Sequence, residues 1–235
     1  MNAKDAMRRE YPYTTELHAH TLPISSCSEF TAPELIALYR EIGVDSVVLT
    51  NHLTQALLQN QDEKQAAEQY VACYRELERE AKKAGMNAIF GIELRFWVNW
   101  NDYLIYGVTP EETEEICTYI FRDIQAFYEG YKNQRNLIFQ AHPFRDGMTP
   151  VDPRWLDGIE VFNMHPGHNS RVALAAAHAR KHWMLICGGT DFHHPGHQGS
   201  CLMRTRERME DSFQVARTLR EKDFLLDIGR SLIMP

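Results

Sequence analysis

Histidine and carboxylate residues stand at the ends of successive short apolar runs along this chain. His18 and His20 close E-L-H-A-H, His52 follows V-V-L-T-N, and Glu93 follows I-F-G-I. His142 follows L-I-F-Q-A, and Asp191 and His193 follow L-I-C-G-G-T. Imidazole nitrogen and carboxylate oxygen together suit Zn, Mn or Fe(II) better than Ca or Mg. His18 and His20 are two positions apart, so on a strand both leave the same face. A carboxylate such as Glu93 can bridge two ions. A bridged pair about 4 Å apart can generate hydroxide and clamp phosphoryl oxygens. One His at a strand end is more often a hydrogen-bonded loop residue than a ligand. Seven such residues spread over five apolar runs are hard to attribute to chance.

These residues need strands to carry them. Near-continuous apolar runs predict strands at Tyr13–His18, Asp45–Thr50, Ala88–Leu94, Tyr103–Tyr106, Leu137–Ala141, Ile159–Asn163 and Met184–Gly188. Helical patterns lie between many of them. Thr31–Ile42 opens on Thr31 as N-cap with Glu34 at the capping-box position, and stops at Gly43. Asp62–Ala84 stops at Gly85, Glu111–Tyr128 opens after Pro110, and Ser170–His182 and Met209–Lys222 complete the set. Alternating strands and helices predict an α/β fold with a parallel sheet and right-handed crossovers. Seven strands in one domain of 235 residues suggest a closed or nearly closed barrel. In such a barrel the strand ends ring one mouth, so distant ligands converge. The short aromatic connection from Glu93 to Asp102 predicts a hairpin, so not every strand is followed by a helix.

Composition narrows the setting. The net charge of −7 argues against a broad nucleic-acid surface, but not against a phosphorylated substrate that meets bound cations. The five cysteines are odd in number and include no C-x-x-C, which fits a reducing compartment. No apolar run approaches the roughly 20 residues of a membrane helix. The start M-N-A-K-D-A-M-R-R-E-Y-P has no apolar core, so a cytoplasmic protein is expected.

The ordered set H-A-H, T-N-H, G-I-E, A-H-P, I-E-V-F-N and G-T-D-F-H resembles the PHP (polymerase and histidinol phosphatase) family of metal-dependent phosphoesterases. The resemblance runs from about Leu17 to Gly199 and includes P-E-L-I-A-L-Y-R-E-I-G-V-D-S-V-V-L-T. It implies one domain over residues 1–235, a distorted TIM-like (β/α)7 barrel, with 200–235 as a C-terminal helix and tail. It implies two or three divalent ions, Zn, Mn or Fe. By similarity His18, His20, Glu93 and Asp191 hold one ion, Glu93 and His142 a second, and His52 and His193 a third. Metal-bound hydroxide would attack the phosphorus of a small phosphomonoester such as histidinol phosphate or a nucleotide. Asp191 or a nearby histidine such as His193 would move protons. The chain departs from the family pattern at Asn51, where the family reads T-D-H. It departs again in L-P-I-S-S-C-S-E, where Cys27 or Glu29 would have to supply a ligand. Asp102 stands where some members offer a His near the fourth strand.

Other residues carry two readings each. Arg145 after H-P-F could grip a phosphate bidentately, or pair with Asp146 or Asp152. Glu160 could be a ligand or a buried structural carboxylate. His165, His168 and Arg171 could line the pocket and read the leaving group, or form a solvated turn. His194 and His197 fit a rim. Arg204, Arg206 and Arg208 fit a solvated face, and His178 with His182 a packed or exposed helix face. Phe96, Trp97 and Trp100 could stack on a substrate ring, cap the core or form a dimer contact. Two other functions compete. An amidohydrolase-type enzyme would also use H-x-H, but often needs a bridging lysine at a strand end, and none is found here. A non-catalytic regulatory metal module would need no turnover.

Overall fold

The computed structural model describes residues 2–229 and 231–235. Helix α1 (Ala3–Glu10) precedes strand β1 (Tyr13–Ala19), then α2 (Ala32–Glu41), β2 (Ser46–Leu49), β3 (His52–Leu53) and α3 (Glu63–Ala84). Strands β4 (Asn87–Phe90), β5 (Ile92–Arg95) and β6 (Asp102–Tyr106) follow, then α4 (Thr113–Cys117), α5 (Ile124–Tyr131) and β7 (Leu137–Gln140). The chain continues as β8 (Gly158–Asn163), α6 (Val172–Lys181), β9 (Leu185–Gly189), β10 (Cys201–Thr205), α7 (Ser212–Glu221), β11 (Leu225–Ile228) and β12 (Ser231–Ile233).

Two six-stranded sheets result, ordered β12-β11-β10-β1-β2-β4 and β3-β5-β6-β7-β8-β9. The chain passes from the first to the second sheet twice. It does so between β2 and β3 at Thr50–Asn51, and between β4 and β5 at Gly91. A Cβ at Gly91 would lie 2.7 Å from Val48 Cγ1, so the second crossing requires glycine. On the far side a parallel bridge joins Ala19 to Phe192, with Phe192 N–H donating to the His18 carbonyl at 3.1 Å. The sheets thus meet where β1 ends and where the chain leaves β9.

Strand alternation sorts the core into two clusters. Val48 and Leu104 join Leu17, Ile89 and Phe139, packed with Val215 and Leu219 of α7. Their neighbours Val47 and Ile105 join Leu35 and Tyr39 of α2, Tyr70 of α3 and Phe127 of α5. Both strand faces are therefore covered, which is why the runs read as continuously apolar. Removing a fully buried side chain such as Leu104 costs about 2–5 kcal/mol when it becomes Ala. Helix ends follow their capping residues. Asp62 and Gln65 form a capping box at α3, and Gly85 ends it at φ 74°.

Several expectations need correction. The strands do not all point one way. β6 runs antiparallel to β5, as the hairpin expected over Glu93–Asp102 requires, and also to β7, and β10 runs antiparallel to β1. The expected run Ala88–Leu94 is split at Gly91. Glu111–Tyr128 is not one helix, because α4 ends at Cys117 and Asp123 caps a new start for α5. Residues 200–235 are not a helix and tail. They supply three antiparallel strands to the first sheet, and α7 between them. Arg206 lies on a solvated face, as expected, where it pairs with Glu10 and Asp223, whereas Arg204 is half-buried and pairs with Asp227. No helix among the described residues is long and apolar enough to cross a membrane.

Candidate metal centre

Glu93 is the hub of the site. It is fully buried on β5, and four imidazoles face its two oxygens. His18 Nε2 lies 3.2 Å and His142 Nε2 3.3 Å from Oε1. His52 Nδ1 lies 2.6 Å and His20 Nε2 3.4 Å from Oε2. Asp191 Oδ1 closes one side, 3.4 Å from His18 Nε2 and 3.3 Å from both His20 Nε2 and His193 Nδ1. All seven residues expected as ligands therefore meet in one place. Three donor groups emerge, each with its donor atoms within 4.8 Å of one another: His18, His20 and Asp191; His20, His52 and His193; His52, Glu93 and Asp102.

These residues fit divalent cations. His18 Nε2, His20 Nε2, His52 Nδ1 and both Glu93 oxygens are buried without a well-formed hydrogen bond. Native interiors rarely leave so many polar atoms unsatisfied in one spot, and ligation to a cation satisfies them all. The opposite nitrogens are already engaged. His18 Nδ1 lies 2.8 Å from Glu160 Oε1, and His20 Nδ1 3.2 Å from Ser25 Oγ. His193 Nδ1 lies 2.9 Å from the Asp191 carbonyl, which can only accept, so that nitrogen carries the proton. A cation bound here would take the Nε2 lone pair of each ring, the arrangement that fixes a ligating histidine.

Charge follows the same geometry. Burial alone would raise the Glu93 carboxyl, but His18 and His52 hold it well below the usual range. Burial opposes ionisation of Asp191 too, and His18, His168 and His20 overcome it. Burial, reinforced by His193 and His52, pushes His20 well down, so it is a neutral donor. Burial would raise the Cys27 thiol, but hydrogen bonds to His193 and His52 bring it down to about 6. His142 and Asp191 have φ of 30° and 53°, a conformation that costs about 1–3 kcal/mol at a non-glycine residue.

Residues behind the ligands hold them in place. Glu160 proves structural in its contacts. It takes His18 Nδ1, the His142 backbone N–H at 3.1 Å and Asn163 Nδ2 at 2.9 Å. Glu16, which sequence reasoning passed over, accepts from the N–H groups of His18 and Thr190 and from the Tyr39 hydroxyl. Its signal was present, since Glu16 and His18 share the i, i+2 face of E-L-H. Asn51 points away from the metal cluster. Its Oδ1 accepts from Thr21 N–H and Ser25 O–H, while its Nδ2 donates to Thr21 Oγ1 and Cys73 Sγ.

A cleft of about 330 Å³ opens over the cluster. Cys27, Arg95, Arg145, His165, His168 and His194 line it beside the ligands. Asp146 pairs with Arg171 and Asp152 with Arg154, which leaves the Arg145 guanidinium without an ion pair among the described residues. His168 Nδ1 lies 3.1 Å from Asp191 Oδ2. Arg171 does not reach the cleft wall. Its guanidinium holds the Phe144 carbonyl and Asp146, and so braces the loop that carries Arg145. Arg95 was not foreseen. It grips Asp102 with two bonds, at 2.6 and 2.7 Å. Asp102 reaches the site because β6 runs backwards, which puts its first residue opposite the last residue of β5.

Solved structures share this architecture. A two-domain protein of Bacteroides vulgatus ATCC 8482, described as containing a PHP-like metal-dependent phosphoesterase by prediction, superposes with a TM-score of 0.65 at 16% identity. The chain has a PHP-like fold. The match covers 94% of this chain and 66% of that one, so this chain spans just under two thirds of its length. PsfC from Pseudomonas syringae PB-5123 shares the fold with a TM-score of 0.59 at 14% identity, over 86% of each chain. A protein of Bifidobacterium adolescentis ATCC 15703, named by inference as a metal-dependent phosphoesterase, gives 0.50 at 15% identity over 77% of this chain and 88% of that one. No family model and no curated protein matches the sequence. At such identities the likeness establishes the PHP-like fold and leaves the chemistry to the residues.

Proposed function

We propose that this protein is a metal-dependent phosphoesterase that hydrolyses a small phosphomonoester. The observation that carries the reading is the pairing of two features in one cleft: a buried carboxylate, Glu93, ringed by four imidazoles, and an unpaired guanidinium, Arg145. His18, His20, Glu93 and Asp191 would hold one ion, Glu93 and His142 a second, and His52 with His193 a third. Zn, Mn or Fe(II) suits that donor set, and such ions activate water and neutralise phosphoryl oxygens. Arg145 binds the phosphate through its planar fork of donors. Asp191 accepts from Asn163 Nδ2 and faces His168 and His193, so this group positions a proton for the leaving oxygen.

Glu93 would take the bridging position between ions, and among the described residues no lysine lines the cleft. That favours phosphorus chemistry over the amidohydrolase type. We also infer that the two sheets act as one distorted (β/α)7 barrel in a single domain over residues 1–235. The crossings at Asn51 and Gly91 and the Ala19–Phe192 bridge support this. The five cysteines are all free, which suits a cytoplasmic setting.

The test is phosphate release from a panel of phosphomonoesters by Mn- or Zn-loaded protein, with His142→Ala as control. Release that stops with chelator and in the variant supports the reading. A protein that binds metal and releases no phosphate from any ester refutes it.

A further inference from the structure

A second compartment adjoins the metal cleft. It has a volume of about 470 Å³ and is walled by Thr54, Gln55, Arg95, Phe96, Trp97 and Trp100. Arg95 lines both spaces. The walls are continuations of ligand-bearing strands. Thr54 and Gln55 follow β3, which carries His52, and Phe96 to Trp100 follow the end of β5, which carries Glu93. The two spaces therefore lie on either side of Arg95.

The chemistry of the walls is aromatic. Phe96 is buried against Tyr103 and Phe127 and forms a fixed floor. Trp97 and Trp100 are 62% and 72% exposed, which is far from the usual state of tryptophan. Both are braced all the same. The Trp97 backbone N–H donates to the Ile120 carbonyl at 2.8 Å, which fixes the main chain, and its ring meets Phe121. The Arg95 guanidinium lies 5.7 Å from the Trp100 ring centroid while its donors grip Asp102. Two indoles held open beside an anion-binding cleft make a stacking surface. Gln55 offers a donor and an acceptor at its edge.

We propose that this compartment receives the leaving group of the substrate, and that the leaving group carries a planar aromatic ring such as a nucleoside base. The proposal rests on the phosphoesterase reading and adds the substrate class to it. Adenosine 5′-phosphate and ribose 5-phosphate present the same primary alcohol as leaving group and differ in the base. Stacking on one aromatic side chain changes affinity by about tenfold. The metal-loaded enzyme should show a kcat/KM about tenfold higher for adenosine 5′-phosphate. Trp97→Ala and Trp100→Ala should each raise KM for that nucleotide and leave kcat/KM for ribose 5-phosphate unchanged. Equal turnover of the two esters, unaltered in both variants, overturns the ring subsite and leaves the phosphoesterase standing. Variants that change the oligomeric mass but not the preference for the base also overturn it, in favour of contact with a second copy. No release from either ester, or from any other phosphomonoester, overturns both readings together.

Discussion

Arg95 and Asp102 are register partners at the loop end of the β5–β6 hairpin, joined by two short charge-assisted bonds. The pair lets a buried carboxylate sit beside Glu93, with His142 Nε2 3.8 Å from its Oδ2. Removing one partner of a buried pair leaves an uncompensated charge, at a cost of about 3–5 kcal/mol. Arg95→Met should therefore lower the melting temperature strongly in chelator. Divalent metal should restore much of the loss, because Asp102 belongs to a donor group with His52 and Glu93. Melting curves with and without Mn check this. An equal loss in both conditions would show that Asp102 serves the fold alone.

Glu160 would act on a bound metal through His18. Its Oε1 faces His18 Nδ1, where it can accept the N–H, and its Oε2 accepts from the backbone N–H of His142, a residue of positive φ. Glu160→Gln keeps the shape but can no longer fix that tautomer by charge. Outer-shell changes of this sort cost about 10–100-fold in metal affinity. Titration against a chromophoric chelator should show a loss in that range with little change in melting temperature of the metal-free protein. Unaltered affinity would reduce Glu160 to a packing residue.

The candidate ligands were legible because each is polar where an apolar run stops, and burial makes that contrast costly unless the group is used. The strand directions were less so. A strand buried on both faces looks alike in either orientation, so D-Y-L-I-Y alone gives no direction, and the reversal of β6 was legible only from the short Glu93–Asp102 connection, which predicts the hairpin that forms. Arg95 was missed because its partner is set by the register of that hairpin. The last three strands were missed because C-L-M-R-T alternates only weakly and S-L-I is short. Arg145 had two readings of equal merit until the structure paired Asp146 and Asp152 with other arginines.

Cys27 stands apart from the other thiols. It is exposed in the metal cleft, whereas Cys73, Cys117, Cys187 and Cys201 are buried. Native protein freed of metal should take up one equivalent of a thiol reagent at Cys27, located by peptide mass mapping, and Cys27→Ser should take up almost none. Zn loading should slow the reaction at least about tenfold if the sulfur joins His52 and His193 around an ion, since thiolate binds Zn well. Labelling at the same rate with and without Zn would exclude Cys27 from the metal sphere.

Asp227 ties the two ends of the chain to the first sheet. Arg8 of α1 reaches it at 3.1 Å and Arg204 of β10 at 2.6 Å. Burial would raise its carboxyl, but the bonds from Arg204 and Arg8 bring it below the usual aspartate value. A carboxyl depressed by folding stabilises the native state above its unfolded pKa, near 3.9. That contribution is lost as the pH falls through the lower, folded value. Asp227→Asn should cost about 1–3 kcal/mol at pH 7, as hydrogen bonds to charged groups do. As the pH falls below the unfolded value and then through the lower folded one, the gap between wild type and variant should close, because both then carry a neutral side chain. Urea midpoints at pH 7, 4 and 3 measure the gap. A gap that stays constant through that window would mean that Asp227 contributes by shape and not by charge.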